Sequence, residues 1–334
     1  MEDSTRGGST ERSEPSEGSE PSARSARSER SVQPAALTWA GLAGITRARF
    51  LPLAVLLALA GGLAQGARGV DVRMLILGMV GLVAAHVLVN VLNELADDAS
   101  GLDHATERTA FSGGSGALQR GLLTRAAAWR IAVLAGAVAL CVAWQATVAR
   151  NDWRLLPVIL AGAVCVLAYT PWLLRLGLGE VAAGLGLGGF AVLGAAMLQT
   201  GPIRDATLLV AMVATVLAFN LLLFNAIPDR AADGHTGRRT LVRMVGVPTA
   251  ARIGVFAAAL ALGTLCYGIA TAALPGSAVL ALVPTILFLR ATLGWLGTDT
   301  PAPVPVPIPQ RVLAANVVNA LGTLAALVIA WLVP

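Results

Sequence analysis

Two short stretches of this chain concentrate the residue types that do chemistry. The first runs from Asn90 to Thr124, NVLNELADDASGLDHATERTAFSGGSGALQRGLLT, and the second from Asn225 to Leu241, NAIPDRAADGHTGRRTL. His86, Asn90, Asn93 and Asp97 recur every three or four residues, so a helix places them on one face with Glu94 beside them. Such a polar stripe is costly in lipid and marks a cavity in which ionisable groups work. Asp98 falls off the stripe and reads as a capping residue. Asp229 and Asp233 share a face if their helix continues past Pro228, where a kink or break is expected. Like charges so close repel, and two such groups at one membrane surface require a neutralising cation. Carboxylates and amide oxygens without a His or Cys cluster are hard ligands that suit magnesium better than zinc. Magnesium held by few carboxylates keeps coordination positions for substrate phosphates. Arg108 and Arg120 in the first stretch, and Arg230, Arg238 and Arg239 in the second, offer guanidinium forks that match phosphate oxygens. Gly113, Gly114 and Gly116 permit close backbone approach to a ligand. Beside apolar segments, this set describes a site for a diphosphate with a long apolar tail.

The elements that must position these residues follow from composition. With 56% hydrophobic and 13% charged residues and a mean hydropathy of +0.73, the chain reads as a polytopic membrane protein. The net charge of +5 comes from arginine alone, placed beside apolar segments, which favours membrane orientation over nucleic acid binding. Cys141, Cys165 and Cys266 lie within apolar segments and are expected to be buried small hydrophobes. Nine segments reach spanning length, at about 49–66, 74–95, 127–148, 155–173, 181–200, 206–227, 251–272, 277–297 and 312–333. The fold class is therefore all-α integral membrane: nine transmembrane helices in a bundle. The acidic stretches leave the second and sixth segments, four apart, which suggests two four-helix repeats plus a ninth helix. Arginine is concentrated on the side that carries both stretches, so the positive-inside rule makes that side, and the N-terminus, cytoplasmic. Residues 1–36, rich in Ser, Glu and Arg, are expected to be a disordered tail preceding a membrane domain over 37–334. The segment 300–309, TPAPVPVPIP, reads as an extended linker.

At these residues the chain resembles the UbiA superfamily of intramembrane prenyltransferases. NELADDASGLD is similar to the first Asp-rich motif of that family, and NAIPDRAADGHTGRRTL to the second. YTPWLLRLGLGE, Tyr169 to Glu180, is similar to the region between helices four and five. The loop RTAFSGGSGALQRGLLT resembles the branch that includes the 1,4-dihydroxy-2-naphthoate polyprenyltransferases of menaquinone biosynthesis. The resemblance covers about residues 40–334 and leaves out the tail.

The resemblance implies that Asn93, Glu94, Asp97 and Asp103, with Asp229 and Asp233, hold two Mg2+ ions that bridge the diphosphate of a polyprenyl donor. The carboxylates Glu94, Asp97, Asp103, Asp229 and Asp233 would be the metal ligands; Glu94 stands where the motif usually has Asp. Arg108, Arg238 and Arg239 would contact diphosphate oxygens, with Asn90, Arg120 and Asn225 also on the substrate side. Tyr169 would lie near the reacting carbon, and Arg175, with Arg290, near the acceptor carboxylate. Loss of diphosphate would leave an allylic cation for an electron-rich ring to attack inside a bundle that excludes water. The implied partners are a polyprenyl diphosphate, an aromatic acceptor and the lipid bilayer, with no nucleic acid. Another acceptor such as 4-hydroxybenzoate, or a terpene cyclase of the same superfamily, would share every metal-site residue. A transporter would not need its acids clustered among arginines at one surface, and a scaffold would tolerate neutral amides in their place.

Overall fold

The computed structural model describes residues 38–66, 69–101, 114–297 and 308–333, and within them the secondary structure is entirely helical. Asp103, Arg108, Gly113, the N-terminal tail and most of the proline-rich linker lie outside the described residues. Helix α1, Trp39–Ile45, starts where the Thr38 hydroxyl accepts the Gly41 N–H at 3.0 Å. The chain then turns through a left-handed residue, Arg47 (φ 51), into α2, Leu51–Ala64. The two arms of this first span meet at 53°. Helix α3, Val72–Ser100, is capped by the Asp71 carboxylate on the Met74 N–H at 3.1 Å and ends at Gly101, whose φ of 73 suits a residue without Cβ. Helix α4 is Arg125–Arg150, capped by Thr124.

Helix α5, Leu155–Leu167, runs into a wide π-helical turn over Tyr169–Leu173, in which Leu173 N–H reaches back five residues to Ala168 O at 2.9 Å. Pro171 supplies no N–H there, and the span bends by 60°. Helix α6, Gly179–Met197, contains a second wide turn at Gly184–Phe190. Then follow α7, Asp205–His235, α8, Leu241–Val245, α9, Val247–Ala270, α10, Gly276–Leu296, and α11, Gln310–Leu332. Seven continuous helices and the two bent pairs make nine candidate spans among the described residues, as the hydropathy pattern predicts.

Helix α7 is the axis of the bundle, with 67% of its apolar window buried against 28% or less for α3, α4, α9 and α10. Around it Leu57, Val192, Val210, Val213, Leu217, Leu265 and Leu324 form the main core. Small residues permit close approach, as lipid offers helices no solvent-driven collapse. A Cβ on Gly188 would strike the Ala214 carbonyl and the Thr215 backbone of α7. Polar stitches hold the other side. Asn220 donates to Gly254 O at 3.0 Å, Asn316 to Asn220 O at 2.9 Å, and Thr285 to Asn319 Oδ1 at 2.9 Å.

Two expectations are corrected. Helix α7 continues through Pro228 without breaking. The proline removes one intrahelical donor, whereas Leu223, Phe224 and Ile227 on the preceding turns remain locked in a second apolar cluster with Val247, Ala251 and Phe288. Of the three cysteines, Cys141 and Cys266 are exposed on the outer helix faces, and only Cys165 is partly covered. In a membrane the outer face is itself apolar, so a thiol need not enter the core.

Candidate active site

The two acidic stretches meet through one guanidinium. Arg238 donates from Nη2 to Asp97 Oδ1 on α3, and its Nη1 lies 3.7 Å from Asp233 Oδ1 on α7. Asp97 also accepts from the Asn93 side-chain amide at 2.9 Å, one helical turn before it. The Asn93 carbonyl oxygen faces Arg238 at 3.5 Å and the Thr170 hydroxyl at 3.4 Å. Because α7 stays helical past Pro228, Asp229 and Asp233 fall on the same side and both line the cavity.

Hydrogen bonds to backbone groups hold this arrangement. Glu180, at the start of α6, accepts the Leu241 N–H at 2.9 Å, and Leu174 O accepts the Arg239 N–H at 2.9 Å, so the turn after α7 is tied down on both sides of Thr240. Asn90 donates to Thr46 O at 3.3 Å and so fixes the hinge that carries Arg47. Below the charged residues lies a cavity of about 230 Å³, polar at the Asp97, Asp229, Asp233 and Arg238 end and apolar at Leu53, Leu57, Leu82, Leu187 and Leu222. Its walls include Tyr169 and Cys165 from the bent fifth helix, Gly186 from the wide turn of α6, and Gly114 from the loop before α4.

Of the residues singled out from the sequence, Asn90, Asn93, Asp97, Tyr169, Asn225, Asp229, Asp233 and Arg238 line this one cavity. Five others do not. Glu94 is wholly buried and its carboxylate accepts the Ser115 N–H and hydroxyl. Arg120 donates to Ser115 O at 2.9 Å and to Gly116 O at 3.2 Å, which consumes its fork within the loop. Arg175, Arg239 and Arg290 are exposed and absent from the cavity wall. Each sits on a turn or outer face whose direction depends on bends that spacing does not encode. Asp98 pairs with Gln119 at 3.1 Å and Arg125 at 3.4 Å, a structural role at the helix end.

The cavity also gathers residues not assigned to the site from the sequence, Arg47, Glu180 and Thr240, while His86, the first residue of the polar stripe, lines it one turn deeper than Asn90. An acid at the entrance of an apolar segment was the readable signal for Glu180. Arg47 gave none, since its place depends on a left-handed hinge.

The donor set fits magnesium. Among the described residues no three His, Cys, Asp or Glu side chains converge on a single point. Instead, opposed carboxylates from two helices share one cation, Arg238, and the buried Asn225 Oδ1 has no hydrogen-bond partner among the described residues. A hard ion held by few carboxylates, with its other positions left to phosphate oxygens and water, matches that set.

Fold and site together define a polytopic helical membrane protein with an acidic, guanidinium-bridged chamber opening onto an apolar one. The sequence matches the UbiA prenyltransferase family over residues 54–304, more than half of its length. The chain belongs to that family, and it is a transferase. A UbiA homolog from Aeropyrum pernix K1, solved in its apo form, is 20% identical with a TM-score of 0.65, over 85% of this chain and 98% of that one. A UbiA homolog from Archaeoglobus fulgidus, solved with DMAPP and Mg2+, is 14% identical with a TM-score of 0.60, over 88% of this chain and 100% of its own. Digeranylgeranylglyceryl phosphate synthase is 13% identical with a TM-score of 0.62, over 87% and 97%. At these identities the likeness is one of fold. No curated protein matches the chain.

Proposed function

We propose that this chain transfers a polyprenyl group from a polyprenyl diphosphate to 1,4-dihydroxy-2-naphthoate, in the assembly of menaquinone. The observation that carries the prenyl-transfer reading is the convergence of Asp97 and Asp233 on Arg238 at the head of an apolar cavity. The relatives solved with DMAPP or GPP and Mg2+ support the same donor chemistry here. The loop from Arg108 to Thr124, with its resemblance to the menaquinone branch, supports the acceptor.

Asp97, Asp229 and Asp233 would hold Mg2+, with Asn93 and Asn225 supplying amide oxygens; Asp103 joins them by its place in the motif. When bound, the metal supplies Lewis-acid neutralisation of the leaving diphosphate. Arg238 then leaves its carboxylate partners for diphosphate oxygens, where its fork disperses the charge released as the C–O bond breaks. Tyr169 presents its ring to the allylic cation from the cavity wall. The leucines below exclude water that would quench it. The ring carbon bearing the acceptor carboxylate forms the new C–C bond. Carbon dioxide then leaves, and its bonding pair restores the aromatic ring, giving demethylmenaquinol. The distribution of arginines supports a bacterial-type plasma membrane location with this site facing the cytoplasm.

The test is direct. Membranes containing the chain receive dihydroxynaphthoate and a polyprenyl diphosphate, with Mg2+ or EDTA, and lipid products are identified by mass. A prenylated, decarboxylated naphthoquinol that needs Mg2+ and disappears in Asp97→Asn and Asp229→Asn is expected. Product from 4-hydroxybenzoate but not dihydroxynaphthoate overturns the acceptor; full turnover in both variants overturns the site.

A further inference from the structure

Glu94 is the acid that departs from the family pattern, and its surroundings differ from those of the other acids. Its side chain is 0% exposed and forms no part of the cavity wall. Both carboxylate oxygens accept the Ser115 N–H, at 3.0 and 3.1 Å, and Oε1 also accepts the Ser115 hydroxyl. The hydroxyl oxygen in turn accepts the Ala117 N–H at 3.0 Å. Arg120 braces the same loop from the other side through Ser115 O and Gly116 O. Gly114, adjacent to Ser115 and in a left-handed conformation (φ 69), lines the same cavity as Asp97 and Arg238. A buried carboxylate that accepts both the N–H and the hydroxyl of one residue is satisfied by the loop, and charge-assisted bonds of this kind are among the stronger ones available. Aspartate, one methylene shorter, would leave Ser115 out of reach from the same helical position.

We infer that Glu94 is a positioning residue and not a metal ligand: its carboxylate clasps Ser115 and so fixes the Gly114 backbone at the head of the cavity where the donor diphosphate binds. The inference rests on the diphosphate reading of that cavity. It also reverses the usual expectation for this position. Glu94→Asp, which restores the residue usual in the motif, damages the site instead of improving it.

The full-length protein in detergent is compared with Glu94→Asp, Glu94→Gln, Ser115→Ala and Asp97→Asn. Four quantities are read: KM and kcat for the polyprenyl diphosphate; Mn2+ affinity by electron paramagnetic resonance with an unreactive prenyl thiolodiphosphate present; and hydrogen exchange of the peptide containing Ser115 and Ala117. Both Glu94 variants are expected to raise KM about tenfold, as loss of an outer positioning contact does, with kcat within about threefold of wild type by the same reasoning. Mn2+ affinity stays unchanged and exchange at Ser115 accelerates. Ser115→Ala moves KM in the same direction by less, and adds nothing when combined with Glu94→Gln. Loss of Mn2+ affinity in Glu94→Gln comparable to that in Asp97→Asn, or wild-type KM and exchange in Glu94→Asp, overturns the clasp. If Glu94→Gln does not fold, unchanged KM and exchange in Ser115→Ala overturns it. Unaltered Mn2+ affinity in Asp97→Asn overturns the diphosphate site instead, and the clasp is then decided by exchange alone.

Discussion

Arg238 stands where a cation is needed before any metal or substrate arrives, and replacing it exposes that role. Its side chain is 15% exposed, and those of Asp97 and Asp233 only 5% each, so the three charges meet largely out of solvent. Methionine at 238 keeps an unbranched apolar stem and removes the charge and the donors. Breaking a buried ion pair by deleting one partner costs about 3–5 kcal/mol, because a buried charge is left behind. Asn93 still donates to Asp97 at 2.9 Å in the variant, which places the loss at the lower end, about 3 kcal/mol. Unfolding in detergent, followed by tryptophan fluorescence in EDTA, reads this loss. Addition of Mg2+ alone is expected to stabilise Arg238→Met more than wild type, since the added cation takes a place that the guanidinium already fills in wild type. Arg238→Lys is expected to fall between them, as an ammonium lacks the fork that spans two carboxylates. Equal stability of Arg238→Met and wild type in EDTA refutes the argument that Arg238 neutralises the two acids.

Three further predictions concern the scaffold. Gly188→Val is expected to lower unfolding stability by about 1–3 kcal/mol, because the added atoms meet the α7 backbone at Ala214 and Thr215; an unchanged denaturation midpoint would contradict that close approach. Thr285→Val removes a donor to Asn319 and is expected to cost only about 0.6 kcal/mol, the usual size of such bonds between membrane helices, so a loss several times larger would mean that the cluster acts as a unit. Asp71, outside the spans, is held below the usual carboxylate range, first by the Met74 N–H it accepts. Partial burial opposes this, and Arg150 adds to the depression. A depressed carboxyl stabilises fully above its unfolded value of about 3.9 and stops doing so as pH falls through its lower folded value. The melting temperature of wild type should therefore drop below about pH 4 more steeply than that of Asp71→Asn.

Much of the scaffold is legible in the sequence because hydropathy and helical period act within one segment. The stripe from His86 to Asp97 needs only α3 to be a helix, and the pairing of Asp229 with Asp233 only α7. What escapes that reading involves a bend or a partner far along the chain. Arg47 reaches the cavity through a residue at φ 51, and Tyr169 through a turn whose hydrogen bonds span five residues. Neither is a property of periodicity. Glu94 and Asp97 lie three residues apart and look alike in sequence. Their fates diverge because one meets Ser115, 21 positions on, and the other Arg238, 141 positions on.

That divergence follows from the cost of charge in a membrane. Every carboxylate at this depth must find a donor or a cation before the bundle can close around it. Glu94 finds a loop, Asp97 and Asp233 share a guanidinium, and Glu180 takes a backbone N–H. The four acids thereby differ in what a ligand could displace. A diphosphate competes readily for a guanidinium, since phosphate oxygens suit its fork as well as a carboxylate does. It cannot compete for the N–H bonds that hold Glu94 and Glu180 without unmaking the loops that shape the site. The acids that can change partner are the two facing the cavity through Arg238, and the acids that cannot are the two that hold the cavity in place.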